Sequence, residues 1–318
     1  MAQRHPLARP AALAGLGTAA LGLTALMVNA RAQKAERDNP PTGRFIDVEG
    51  VQVHYAEIGE GDPLVLLHGN GSMLQDFIGS DFVKVAAKHY RVIAFDRPGY
   101  GYTERPRSTI WTPAAQAGLL RSALHRIGVS NALVLGHSWG ASVAIALALE
   151  HPEMVRGLIL ESGYYYGSVR ADVVLMSGPA VPLLGDILRY TVSPLAARLL
   201  WPMMIRKLFS PAPVAAKFDA VPPEMAIRPS QLRASAAESA LMIPDALAVQ
   251  GRYGELTMPV AIVAGTGDRM VDVDEQAVRL HRALPNSSLH VTEGGGHMVH
   301  HTAPHDVMAA VYAVASGA

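Results

Sequence analysis

The stretch that most constrains this chain is Gly136-His137-Ser138-Trp139-Gly140, set between two strongly apolar runs. Ala132-Leu133-Val134-Leu135 before it reads as a short buried strand. Ala141 to Glu150 after it, nearly all Ala, Val, Ile and Leu, reads as a buried helix. Strand, G-x-S-x-G and helix together make a sharp elbow that holds a serine hydroxyl clear of its own backbone. Such a turn strains the serine backbone, and side chains on its neighbours would collide with the strand and helix being joined, so glycine stands there. The pentapeptide alone is short enough to arise by chance, and its weight comes from what surrounds it.

The surroundings repeat one rhythm. Arg44 to Glu49 and Val51 to Ile58 read as two strands joined at Gly50, an antiparallel start. Pro63 to Leu67 predicts a short buried strand ending in His68-Gly69-Asn70-Gly71-Ser72. Glycines at a strand end leave main-chain N–H groups free to point into a site, though they would equally serve a plain strand-to-helix turn. Tyr90 to Phe95 is another strand, closed by Asp96-Arg97-Pro98-Gly99-Tyr100-Gly101. Thr112 to Ile127 predicts a helix, with Thr112 as N-cap, Pro113 at the first position and Gly128 at the stop. Further strands read at Arg156 to Glu161, Val260 to Ala264 and Ser288 to Thr292, and further helices at Asp274 to Leu284 and His305 to Val314. Apolar strands alternating with helices predict an α/β fold with a mostly parallel sheet covered on both faces.

In this order, HGN, DRPGYGYTERP, GHSWG, GTGD and GGGH resemble the motifs of the α/β-hydrolase fold superfamily, in a serine-nucleophile, esterase- or lipase-like form. The likeness covers about residues 44–318. It implies an eight-stranded, mostly parallel sheet with only the second strand antiparallel, helices on both faces, and a helical lid inserted after the sixth strand, here about residues 167–255. It is specific for the fold and much less so for the substrate.

A serine hydroxyl is a weak nucleophile and needs an adjacent base that a third group orients. The chain order Ser, acid, His is the one this fold uses. Ser138 is therefore the expected nucleophile. His297, on the glycine loop after the last strand, is the expected base, and Asp268, just past Val260 to Ala264, the expected acid. His300, His301 and His305 compete with His297 but read as surface or packing residues near the next helix. Glu161 is the alternative acid, and Asp272 reads as a helix N-terminal or solvated group. The main-chain N–H groups of Asn70 and Trp139 are the expected oxyanion hole, with their side chains as pocket walls. Asp96 and Arg97 read as braces of the sheet edge, and His137 as packing beneath the elbow. No cofactor is called for. The histidine cluster carries no carboxylate at metal-ligand spacing, so no metal is expected.

The first 43 residues stand apart. Ala11 to Val28 is uncharged and apolar all round, preceded by Arg4 and Arg9 and followed by a polar stretch to Arg44 with an Asn39-Pro40-Pro41 break. At 18 residues this run is long enough to span a hydrocarbon layer, and it exceeds the usual signal-peptide core. The expectation is an uncleaved membrane anchor of one transmembrane helix. The alternative is export after cleavage at Ala30-Arg31-Ala32. Residues 1–43 are thus anchor or signal plus linker, and 44–318 the catalytic domain.

Lysine plus arginine total 27 and aspartate plus glutamate total 27, so charge gives no reason to expect a nucleic acid. With no cysteine there is neither a disulfide framework nor a thiolate metal site. The lid region is rich in proline, methionine and leucine, which reads as a helical cap burying these residues on the main domain, or as a cap whose apolar face meets lipid or a small-molecule substrate with a hydrophobic acyl group. Tyr164, Tyr165 and Tyr166 are expected at the lid entrance. Relatives of this fold that open epoxides or haloalkanes attack with a carboxylate, because the resulting ester can be hydrolysed. A serine would form a stable ether there, so Ser138 implies acyl transfer to water, as in hydrolysis of a carboxylic ester. Carbon–carbon bond hydrolases, amidases or aminopeptidases, and cofactor-free haloperoxidase-like enzymes share the same triad. A ligand-binding protein without turnover would be expected to lack one of its members.

Overall fold

The computed structural model describes residues 8–168, 173 and 176–317, with side chains from residue 16 onward. Eight strands form one sheet: β1 (Arg44–Val48), β2 (Val51–Ile58), β3 (Asp62–Leu67), β4 (Tyr90–Phe95), β5 (Ala132–His137), β6 (Val155–Glu161), β7 (Val260–Gly265) and β8 (Ser287–Thr292). Their spatial order is β1-β2-β4-β3-β5-β6-β7-β8. β2 runs antiparallel to both its neighbours, and every pairing from β4 to β8 is parallel. The strand rhythm predicts the mostly parallel sheet, and the antiparallel second strand of eight is the arrangement that the resemblance to the α/β-hydrolase fold implies.

Both faces of the sheet are covered. Alternate residues of β3 show the division: Val65 and Leu67 enter one core cluster, Leu64 and Leu66 the other, as the two-residue period of a strand requires. Leu120 and Leu124 of one helix (Pro113–Arg126) and Val143 and Leu147 of the elbow helix (Trp139–Glu150) complete the first cluster. Val307, Val311 and Val314 of the last helix (Pro304–Ser316) complete the second, with Phe82 and Val83. Thr112 caps its helix as expected, its side chain accepting from the Ala115 N–H at 3.1 Å.

Between β6 and β7 the described residues contain helices and turns but no strand. The two longest helices of this insertion are Val192–Phe209 and Pro229–Val249. Residues 169–172, 174 and 175 of the expected lid lie outside the described residues.

The N-terminal segment departs from expectation. Helix α1 (Ala8–Asp38) does not stop where the apolar run stops; it continues through the stretch expected as a polar linker. Ala30, Arg31, Ala32, Gln33, Lys34, Ala35 and Glu36 are good helix formers, and the X-Pro bond at Asn39-Pro40 ends the helix. Its last turns dock on the rest of the fold. Ala35 packs with Met73, Met225 and Ala226, and Glu36 Oε1 lies 2.7 Å from Arg228 Nη1. Among the described residues no helix is long and apolar enough to cross a membrane. The run expected as the anchor begins at Ala11, and its side chains through residue 15 lie outside the described residues.

Candidate active site

The elbow has the strain its sequence predicts. Ser138 sits at φ 53°, ψ −119°, a region that residues with a side chain rarely adopt. Its N–H donates to the carbonyl of Glu161 at the end of β6, 2.8 Å away, which holds the strained residue in place. A side chain at Gly136 would strike the Gly140 carbonyl and the Ala141 backbone, and one at Gly140 would strike the carbonyls of Leu67 and His68. The two glycines are therefore steric requirements of the turn.

His297 arrives on the loop after β8. Its Nδ1 lies 2.7 Å from Asp268 Oδ2, and both side chains are almost fully buried. Asp268 Oδ1 accepts from the N–H groups of Met270 (2.7 Å) and Val271 (3.1 Å). Burial alone would raise the Asp268 pKa; the His297 imidazole and the two N–H donors outweigh it and hold the carboxyl below its ordinary range. The His297 N–H donates to the carbonyl of Leu208, 2.9 Å away, and a side chain at Gly296 would meet the backbone of Phe209 and Ser210. The glycine run thus lets the histidine loop lie flat against the insertion.

Ser138 and His297 line one cavity of about 160 Å³, together with Asn70 and Trp139. Among the described residues no hydrogen bond joins the Ser138 hydroxyl to the imidazole; such bonds often tighten only with substrate present. The loop after β3 lies close against Ser138, since a side chain at Gly69 would come within 3.1 Å of Ser138 Cβ. Neither the Asn70 nor the Trp139 main-chain N–H donates to a described residue. Most of the remaining wall is apolar and comes from the insertion, including Trp201, Met204, Ile205, Leu208 and Met242, while Ser72, Asp76, His137, Ser235 and Ser239 supply its polar part. Tyr164 lines the cavity, but Tyr165 and Tyr166 do not: their N–H groups donate to Gln276 Oε1 at 2.7 and 2.8 Å, which turns them into the core. Asp272 Oδ1 accepts from the Glu275 N–H at 2.8 Å, a helix-capping contact.

His300 and His301 are packing residues and not surface ones: His300 lies against the Phe77 ring and His301 against those of Phe209 and Phe218. His300 is wholly buried between two carboxylates, with Nδ1 2.7 Å from Glu161 Oε1 and Nε2 3.3 Å from Asp76 Oδ1. His301 Nε2 lies 2.9 Å from the same Asp76 oxygen. Burial would discharge His300, but Glu161 and Asp76 override it and push its pKa up to about 10. Both carboxyls are held low despite their burial, chiefly by the charge on His300. Glu161, the alternative acid, is therefore bonded to His300 and not to His297. His137 lies between the rings of His297 and His300, with 4.9 Å between centroids on each side; burial lowers its pKa to about 4, so it is neutral. Sequence spacing offered the histidines no carboxylate, yet the fold brings them two. The ligand atoms of Asp76, His300 and His301 lie within 4.8 Å of one another, as do those of His137, Glu161 and His300. Hydrogen bonds already engage most of these atoms.

Comparison with known proteins agrees with this architecture. The family model for the alpha/beta hydrolase fold matches residues 62–304. Haloalkane dehalogenase 2 of Mycobacterium tuberculosis is 26% identical over 282 residues, covering 86% of this chain and 94% of that protein. The 2-hydroxy-6-oxononadienedioate/2-hydroxy-6-oxononatrienedioate hydrolase 2 of Pseudomonas putida is 29% identical over 253 residues, covering 78% of this chain and 85% of its own. A thermophilic esterase from Thermogutta terrifontis has a similar solved structure, with a TM-score of 0.70 at 19% identity, covering 86% of this chain and 99% of the esterase.

Proposed function

The chain belongs to the α/β-hydrolase fold family, and on that premise we propose that it is a serine hydrolase of carboxylic esters with a hydrophobic acyl group. One observation carries the proposal. A serine in a strained elbow shares a cavity with a histidine whose far nitrogen is fixed by a buried carboxylate. In this reading His297 Nε2 takes the proton of the Ser138 hydroxyl as Oγ bonds to the ester carbonyl carbon. The N–H groups of Asn70 and Trp139 stabilise the oxyanion. The alcohol leaves with the proton from His297, forming an acyl-enzyme. Water repeats the sequence: His297 takes its proton, the acid leaves, and Ser138 Oγ regains its hydrogen. Asp268 orients the imidazole throughout. Residues 167–255 act as the lid over this chemistry.

The haloalkane dehalogenase relative does not carry its substrate over to this chain. Attack by Ser138 on a haloalkane would end at an ether, whereas an acyl-serine can be hydrolysed. The hydrolase relative is named for a dienedioate, a substrate with two carboxylates. Among the described residues lining the cavity there is no Arg or Lys to meet such charge, which favours a neutral, greasy substrate. Leu183, Leu199 and Met203 on the insertion and Leu23 and Leu26 on α1 are exposed as well. A series of nitrophenyl esters of increasing acyl length tests the reading. Burial of each methylene favours kcat/KM by roughly fourfold until the cavity is full. Halide release from haloalkanes with no nitrophenol release from any ester would reject it.

A further inference from the structure

The helix Pro229–Val249 of the insertion contributes more than a wall. Its residues Gln231, Ser235, Glu238 and Ser239 fall on one face at the spacing i, i+4, i+7, i+8, and all four reach the loop that follows β3 or the side chains that hold it. Gln231 Nε2 donates to the Ser72 carbonyl at 3.2 Å. Asn70 Nδ2 donates to the Ser235 carbonyl and to Ser239 Oγ, each at 3.2 Å. Glu238, fully buried, pairs with the guanidinium of Arg97, also fully buried. That same guanidinium donates to the carbonyls of His68 at 2.7 Å and Gly69 at 2.9 Å. The Tyr100 hydroxyl lies 2.7 Å from Glu238 Oε2 and 2.9 Å from Asn70 Oδ1, so its one proton is shared between these two acceptors.

The residue so restrained, Asn70, lines the same cavity as Ser138, and its main-chain N–H is an oxyanion donor in the proposed function. A buried ion pair is weak evidence for stability, because hydrophobic replacements often do as well. Its geometry here does something a hydrophobic pair could not: Arg97 grips two consecutive carbonyls of the loop while Glu238 fixes Arg97 from the insertion. We propose that Glu238 is a positioning residue, acting through Arg97 and Tyr100 to hold the 68–70 backbone where the Asn70 N–H can receive the oxyanion. The competence of the oxyanion hole is thereby tied to the seating of this one helix. The inference rests on the serine-hydrolase reading above. It adds that displacement of the helix disables chemistry even when Ser138, His297 and Asp268 are undisturbed.

The test compares wild type with Glu238→Gln and Tyr100→Phe on a nitrophenyl ester that the wild type turns over. It adds the inhibition constant of an alkyl trifluoromethyl ketone, which forms a tetrahedral oxyanion on the serine. An oxyanion donor displaced by about 1 Å costs on the order of 10²-fold in rate. Glu238→Gln should therefore lower kcat about 10²-fold with KM within twofold, and weaken the ketone by the same factor as kcat/KM. Tyr100→Phe removes one hydroxyl without changing shape. It should fold even if Glu238→Gln does not, and should lower kcat and ketone affinity together by about tenfold. Folded variants with wild-type kcat and ketone affinity would overturn the positioning role and leave the hydrolase reading standing. A wild type that turns over no ester would overturn both.

Discussion

Asp268→Asn is expected to leave the fold in place and lower kcat by about 10⁴-fold. The amide oxygen can still accept from the Met270 and Val271 N–H groups that now hold Oδ1. Its NH₂ would then replace the carboxylate oxygen facing His297 Nδ1, 2.7 Å away. An amide donor there requires Nδ1 to accept, which moves the ring proton to Nε2. An imidazole with a proton on Nε2 cannot take one from Ser138. The loss is thus one of tautomer, and KM should change little. Because the Asp268 carboxyl is held below its ordinary range, its contribution in the wild type is fully present above about pH 4 and fades as the pH falls through the lowered value. A kcat within tenfold of wild type, measured on the best nitrophenyl ester, would remove Asp268 from the triad.

His300→Ala should cost about 3–5 kcal/mol of stability, seen as a lowered denaturation midpoint in urea. The reason is charge: the substitution leaves Asp76 and Glu161 buried without the cation between them. The sign of the pH dependence follows from the shift. His300 binds its proton more tightly in the folded chain, with a pKa of about 10 against an ordinary 6.5. Its stabilisation is complete below about pH 6.5, erodes above it, and is gone once the pH passes about 10. The depressed Asp76 and Glu161 act in the opposite sense, contributing above their ordinary values near 4 and losing that contribution in acid. The wild type should therefore lose stability between pH 6.5 and 10, and His300→Ala should lose this slope. An unchanged midpoint would mean that the carboxyls are neutral in the fold.

What the sequence disclosed and what it hid divide along a physical line. The strands β3 to β7 are short, largely apolar runs and β1, β2 and β8 are mixed runs bounded by turn residues, all local patterns, so all eight could be placed within a residue or two. Ser138, His297 and Asp268 carry local signals as well, because each follows a strand in a glycine-marked turn. The pairs that escaped notice are joined only by folding. His300 and Glu161 are 139 positions apart, and Arg97 and Glu238 are 141. A lone glutamate on a helix of the insertion looks like a solvated charge until Arg97 is placed against it. The N-terminal helix misled differently. Hydropathy marked where the apolar run ends, but helix propensity and the contacts of Ala35 and Glu36 decide where the helix ends. The tyrosine run was misjudged because Gln276, more than 100 residues away, turns two of the three inward.

The most direct measurement is the intact and peptide mass of the protein after exposure to an alkyl fluorophosphonate, with wild type and Ser138→Ala side by side. A serine made nucleophilic by its histidine displaces fluoride and keeps the phosphonyl group. The account predicts one adduct per chain, mapped to the peptide that contains Ser138, none on Ser138→Ala, and slow labelling of Asp268→Asn. An adduct on another residue, or ester turnover undiminished by Ser138→Ala, would contradict it.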